Sequence, residues 1–159
     1  RRGAPVFVQS FETANLRALR RELALPLIQL TDATGGPADL VAAGKPRSWA
    51  ELTTAAGLRE IAGYADGIGP NKDQVIPRGE DGSLGAPSSL VADAHAAGLL
   101  VHPYTFRNEN SFLPTNLRST GPESAYGDIF GEFETFLRTG VDGVFTDNTD
   151  TALAAIATR

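Results

Sequence analysis

Short apolar runs rich in β-branched and aromatic residues recur along the chain, and each is followed by a stretch long enough to hold a helix. They start near residues 6, 27, 65, 99 and 143. Crossovers of that length join parallel neighbours, so the alternation predicts an α/β fold built on a parallel sheet of five strands. Residues 6–11, behind Pro5, read as the first strand, and residues 13–22, with Leu16, Leu19 and Leu23 at helical spacing, as its helix. Residues 27–30 follow Pro26 as the second strand, whereas 33–46 are too polar for a core element. Ser48 with Glu51 three residues on is a capping box, which predicts a helix running to about Tyr64. Residues 65–69 form a third strand weakened by its glycines, and 70–73 read as loop. Beyond a polar loop at 77–87, a helix at 89–97 closes on Gly98 and a strand at 99–106 follows. A long loop at 107–121, an amphipathic helix at 123–138, a last strand at 141–147 and a helix at 149–158 complete the chain. Neither a repeat nor a linker divides it, so residues 1–159 are read as one unit.

With 159 residues, 42% of them hydrophobic and 21% charged, the chain is large enough to bury a core. The formal charge of −5 gives no basis for binding a phosphate backbone, and nucleic acid is excluded as a partner. No apolar run approaches the roughly 18 residues of a membrane-spanning helix. The N-terminal residues run directly into a strand, so no signal-peptide core is read there. The absence of cysteine excludes disulfides, thiolate metal sites and cysteine nucleophiles, and leaves the compartment open.

Ligands of parallel α/β folds bind at the carboxyl ends of strands. Here those ends are polar or aromatic: Gln9-Ser10-Phe11-Glu12, Gln29-Leu30-Thr31-Asp32, Gly69-Pro70-Asn71-Lys72, Tyr104-Thr105-Phe106-Arg107 and Phe145-Thr146-Asp147-Asn148. Lys72 and Arg107 suit an anion, or else are solvated surface cations. Glu12 and Asp147 suit a hard cation, although a carboxylate beside a helix start more often caps free amides. Tyr104, Phe106 and Phe145 suit an apolar substrate wall, or core packing. The two histidines, His95 and His102, stand in no metal-ligand or Ser-His-Asp pattern, and His95 reads as a surface residue. There is no GxGxxG, Walker loop or HExxH. From residue types alone the chain offers an anion-tolerant pocket.

Four stretches carry a resemblance. Val101-His102-Pro103-Tyr104-Thr105-Phe106-Arg107 resembles the late-strand signature of periplasmic and secreted bacterial glycerophosphodiester phosphodiesterases. Residues 6–12 look like their QSFE strand, and 65–73 like their DGIGPxKD segment. Residues 140–148 look like their closing GVDGxFTDxPD strand, with Thr149 where the family usually has Pro. The resemblance implies a (β/α)8 barrel that cleaves glycerophosphodiesters to an alcohol and glycerol 3-phosphate with a divalent cation, calcium or magnesium.

Such a barrel takes roughly 250 residues. Matched to the family pattern, the chain looks like the C-terminal five βα units of an incomplete TIM barrel. The family's early His-Arg-Gly, its Glu-x-Asp, its second His and its Glu-x-Lys have no counterpart in the chain. The resemblance therefore implies that the metal ligands and the acid/base pair lie in an N-terminal part. It leaves no catalytic or metal residue here, so the isolated chain should be inactive. What remains is a substrate wall of Gln9, Lys72, Tyr104, Phe106, Arg107 and Phe145, with the N-terminal half of the barrel as partner and a periplasmic or secreted location. The competing expectation is a non-catalytic α/β module that binds phosphate or glycerol.

Overall fold

The structure, a computed structural model, describes residues 6–157. Pro5 and Thr158, the flanks of the first and last predicted elements, lie outside the described residues. Among the described residues, four strands, β1 (Val8–Ser10), β2 (Leu27–Thr31), β3 (Gly67–Pro70) and β4 (Leu100–Val101), pair in parallel in the order β1-β2-β3-β4. Val8 stands opposite Leu27, Ile28 opposite Gly67, and Ile68 opposite Val101. In sequence, α1 (Thr13–Glu22) joins β1 to β2, and α2 (Ala38–Ala42), α3 (Trp49–Leu52) and α4 (Ala55–Ile61) lead to β3. Next, α5 (Lys72–Val75) and α6 (Leu90–Ala96) lead to β4, and α7 (Ile129–Arg138) and α8 (Thr149–Ala157) follow it.

Alternate strand residues point to opposite sides of a sheet, and here the sides differ. Leu27, Ile68 and Val101 join Leu16, Leu58, Ile61, Phe133 and Phe136 in one buried cluster, which packs the helices against one face. Each such side chain, fully buried, contributes about 1.5–3 kcal/mol. The other face carries Phe7, Gln9, Leu30, His102 and Phe145, several of them partly open. β3 is a strand despite its glycines because its neighbours lean over it. A Cβ on Gly67 would stand 2.8 Å from Ile28 Cδ1, and one on Gly69 2.6 Å from Leu30 Cδ2. Larger residues would be expelled at both positions.

The start of α1 and the start of α2 cap each other. The Asp39 amide donates to Glu12 Oε2 at 2.6 Å, while Asp39 Oδ2 accepts from the Ala14 amide at 2.6 Å and the Thr13 hydroxyl at 3.1 Å. Glu12 is thus a capping carboxylate, but for the next helix and not its own.

Several predicted elements are shorter than the pattern suggests, and each for a local reason. The capping box forms as predicted, with Ser48 Oγ accepting from the Glu51 amide and Glu51 Oε2 from the Ser48 amide. The helix it starts nevertheless breaks at Thr53-Thr54, because both hydroxyls bond back to carbonyls and Thr54 then caps α4 through the Gly57 amide. The helix predicted from residue 123 begins only at Ile129. Glu123, Ala125 and Gly127 are instead tied by backbone bonds to Ser111, Asn110 and Asn108. Residues 70–73, read as loop, close β3 and open α5, which Asn71 caps through the Asp73 amide.

The fifth predicted strand is a correction in kind. Residues 141–147 run beside 101–106, with the Phe145 amide donating to Pro103 O and the Phe106 amide to Phe145 O, both at 2.9 Å. Yet only the Phe106–Thr146 bridge is regular, and β4 itself stops at Val101. Pro103 brings no N–H to the ladder with 141–147, whereas on the β3 side His102 and Tyr104 still donate to Ile68 O and Pro70 O.

Candidate functional site

At the carboxyl ends of the strands, a cleft of about 280 Å³ is lined by Gln9, Phe11, Leu30, Tyr104, Thr105, Phe145, Thr146 and Asp147. Gln9 and Phe11 enter from β1 and its exit, Leu30 from β2, and the rest from the two segments that continue past β4. Tyr104 is fixed at both ends. Its hydroxyl donates to Thr31 O at 2.8 Å, and its amide to Pro70 O at 3.0 Å. Burial and the nearby Asp32 carboxylate push its phenol well above the ordinary tyrosine range, so it acts as a neutral hydrogen-bonding wall. Phe11 meets it edge-on at 6.1 Å.

Tyr104 and Thr105 also border a second cleft of about 330 Å³, whose other walls are Asn71, Lys72, Asp73, Arg78, Arg107, Ser111 and Phe112. Arg107 is held between partners: Nε donates to Asp147 Oδ2 at 2.5 Å, and the guanidinium lies 4.4 Å from the centre of the Phe112 ring. Arg78 pairs with Asp73 at 3.3 Å and donates to Phe112 O at 2.7 Å.

Lys72 lies at the back of this cleft, almost buried. Its ammonium donates to Glu132 Oε1 at 2.7 Å and to Phe112 O at 3.2 Å. Burial pushes the Lys72 ammonium down and the Glu132 carboxyl up, both toward neutrality, and their mutual contact opposes this. Glu132 Oε2 has no partner among the described residues. Sequence reasoning had no signal for this pair, since Glu132 sits on the apolar stripe of α7, 60 residues away.

The structure therefore brings Gln9, Tyr104 and Phe145 together in one cleft and Lys72 and Arg107 in the adjoining one, with Tyr104 common to both. Phe106 is a correction. It is completely buried on the helix side, stacked on Phe133 at 4.9 Å and edge-on to Phe136 at 5.1 Å, so it belongs to the core and lines neither cleft. The alternation breaks between Tyr104 and Phe106, because Tyr104 and Thr105 both line the clefts, and Phe106 is thereby sent to the helix side. Among the cleft residues not singled out, Leu30 and Phe11 follow from period-2 alternation, whereas Arg78 and Phe112 come from loops that carry no pattern.

Neither histidine reaches the clefts. His95, on α6, pairs with Asp142 Oδ2 at 2.9 Å on the helix layer. His102 points into the concave side of the sheet, edge-on to Phe7 at 4.9 Å and to Phe145 at 6.3 Å, and burial holds its pKa below the usual histidine value.

The model of the glycerophosphoryl diester phosphodiesterase family matches residues 1–151. The chain belongs to that family. A relative in Arabidopsis thaliana, glycerophosphodiester phosphodiesterase GDPD6, is 36% identical over 146 residues, covering 91% of this chain and 36% of the relative. The chain thus spans about a third of that relative's length. Among solved structures, one from Silicibacter pomeroyi described as a glycerophosphoryl diester phosphodiesterase aligns with a TM-score of 0.52 and 23% identity, over 89% of this chain and 34% of that one. Another so described, from Agrobacterium tumefaciens, aligns with a TM-score of 0.50 and 20% identity, over 92% of this chain and 41% of that one. At these identities the structures establish a common fold.

Divalent cations are the metals that glycerophosphodiester phosphodiesterases generally employ, so the donor set matters. Among the described residues no group of three or more His, Cys, Asp or Glu side chains is arranged to hold an ion. Near the clefts, Asp147 is engaged by Arg107, and Asp32 accepts from Asn71 Nδ2 at 2.9 Å and from the Ala33 amide at 2.7 Å. These residues do not by themselves fit a divalent cation.

Proposed function

We propose that this chain supplies the substrate-pocket wall of a (β/α)8-barrel phosphodiesterase that hydrolyses glycerophosphodiesters to an alcohol and glycerol 3-phosphate. The reading rests on one observation: in a chain of this family, Gln9, Tyr104 and Phe145, far apart in sequence, converge on a cleft at the carboxyl end of a parallel sheet. Tyr104 and Phe145 pack against the glycerol or alcohol carbons, while Gln9 and Arg107 take the polar atoms of the diester. Lys72, its ammonium held by Glu132, braces this wall from behind.

In this reading a calcium or magnesium ion and the acid/base pair are held by an N-terminal part of the barrel, the partner of this chain. Two features favour such a partner: β1 is an edge strand with Val6 and Phe7 exposed beside it, and the matched relative is nearly three times as long as the matched region. An unpaired edge is a surface that another strand can complete. A periplasmic or secreted location goes with this reading and is tested by cell fractionation.

Co-expression with the N-terminal part of a family barrel is expected to yield metal-dependent hydrolysis of a glycerophosphodiester, lowered by Tyr104→Ala and by Arg107→Ala. A complemented, folded barrel that stays inactive defeats the catalytic reading. The alternative, a non-catalytic glycerol- or phosphate-binding module, is favoured by the fact that neither histidine lines the clefts. Calorimetry on the chain alone discriminates, since saturable binding of glycerol 3-phosphate without a partner supports the module.

A further inference from the structure

The second cleft, about 330 Å³ in volume, shares Tyr104 and Thr105 with the mouth cleft, so a ligand seated in one can reach into the other. Its charges cancel. Lys72 is spent on Glu132 at the back, Arg78 faces Asp73 at 3.3 Å, and Arg107 holds Asp147 at 2.5 Å. Each cation thus stands against a carboxylate, and neither a cationic nor an anionic group meets a net opposite charge there.

What the pairs leave over is hydrogen-bonding capacity of both kinds. Neither oxygen of Asp73 accepts a hydrogen bond among the described residues, and 41% of its side chain is exposed. The hydroxyls of Thr105 and Ser111 have no partner among them either, and Arg107 donates only through Nε, which leaves its two terminal nitrogens open. A hydroxyl both donates and accepts, so acceptors and donors set side by side suit a group with several hydroxyls. The aromatic surface points the same way. A quaternary ammonium head seeks an open ring, but the Phe112 ring already holds the Arg107 guanidinium 4.4 Å from its centre, and Arg78 donates to the Phe112 carbonyl.

Resting on the phosphodiesterase reading above, we infer that this cleft is the subsite for the alcohol half of the diester and that it selects a neutral polyhydroxylated alcohol over a quaternary ammonium alcohol. The glycerol half lies in the mouth cleft on Phe145 and Gln9, the phosphoryl group bridges the shared wall at Tyr104 and Thr105, and the hydroxyls of the alcohol meet Asp73, Ser111 and Arg107. A trimethylammonium head makes no hydrogen bond to Asp73 or Ser111 and brings its charge beside two guanidinium groups.

Dissociation constants measured by NMR titration test this, on the chain alone and on the chain completed with the N-terminal part of a family barrel, with metal chelated so that nothing turns over. The probes are glycerophosphoglycerol, glycerophosphoinositol and glycerophosphocholine. The two polyol diesters are expected to bind about tenfold more tightly than the choline diester in whichever form binds, the size of one hydrogen bond to a charged group. Asp73→Asn should remove most of that preference, and Ser111→Ala should cut it about threefold. Ser111 is exposed, so its variant reports on binding even if Asp73→Asn disturbs the Arg78 pair. Whether the lone chain suffices or completion is needed separates the module from the barrel, and a completed barrel that keeps the polyol preference yet hydrolyses nothing defeats the catalytic reading alone. The inference is overturned if the choline diester binds as tightly as the polyol diesters, if no diester binds either form, or if both variants keep the full preference.

Discussion

On the helix side of the sheet, Leu27, Ile68 and Val101 are fully buried in a continuous apolar cluster; on the concave side, Phe7 remains 45% exposed and Gln9 and Phe11 are open. The same strands make both surfaces, and alternation assigns each residue to one. The contrast teaches where function resides in such a sheet. The packed side holds the strands in register, and the open side, relieved of that duty, carries amides, aromatic rings and a histidine that a ligand or a further chain segment can meet.

Substitutions on opposite sides sharpen or break this comparison. Phe106→Ala, on the packed side, should cost about 3–5 kcal/mol in urea denaturation, from lost transfer energy plus the cavity left between Phe133 and Phe136. Phe7→Ala, on the open side, should cost about 1 kcal/mol, because nearly half the ring is already in water. Equal costs would mean that the two surfaces share the stabilising load.

The ion pair behind the second cleft gives the next effect. Lys72→Met leaves Glu132 buried and uncompensated and should cost about 3 kcal/mol, whereas Lys72→Met combined with Glu132→Leu should return to within about 1 kcal/mol of the parent. A double variant as unstable as the single one would show that the pair stabilises the fold by itself.

The smallest effect is a pH dependence. His102 is held below its ordinary value of 6.5 by burial between Phe7 and Phe145, with the Asp142 carboxylate opposing. The folded state then binds fewer protons than the unfolded state. Stability from this residue is complete above about pH 6.5 and declines as pH falls from there through the lower folded value. His102→Phe should flatten that decline in denaturation midpoints measured from pH 7 to pH 5, while the other histidine, His95, stays in place on the helix layer.

Much of the packed side was legible in the sequence, because β1, β2 and the stripe of α7 show their periods directly. The open side was legible only in part. Gln9, Tyr104 and Phe145 could be placed at strand ends by counting, but Phe106 could not, since Tyr104 and Thr105 both face the clefts and break the alternation that the count assumes. Lys72 looked like a free cation because its partner, Glu132, sits on an apolar helix face where a carboxylate is costly unless paired.

The mutual capping of α1 and α2 bears on how the chain assembles. Neither helix has its first turn fully bonded until the other is present, so Glu12 and Asp39 make the first two βα crossovers a single step. Each later strand pairs with the one made just before it. During synthesis β3 and β4 can therefore add in chain order to a β1–β2 unit that Glu12 and Asp39 have already latched.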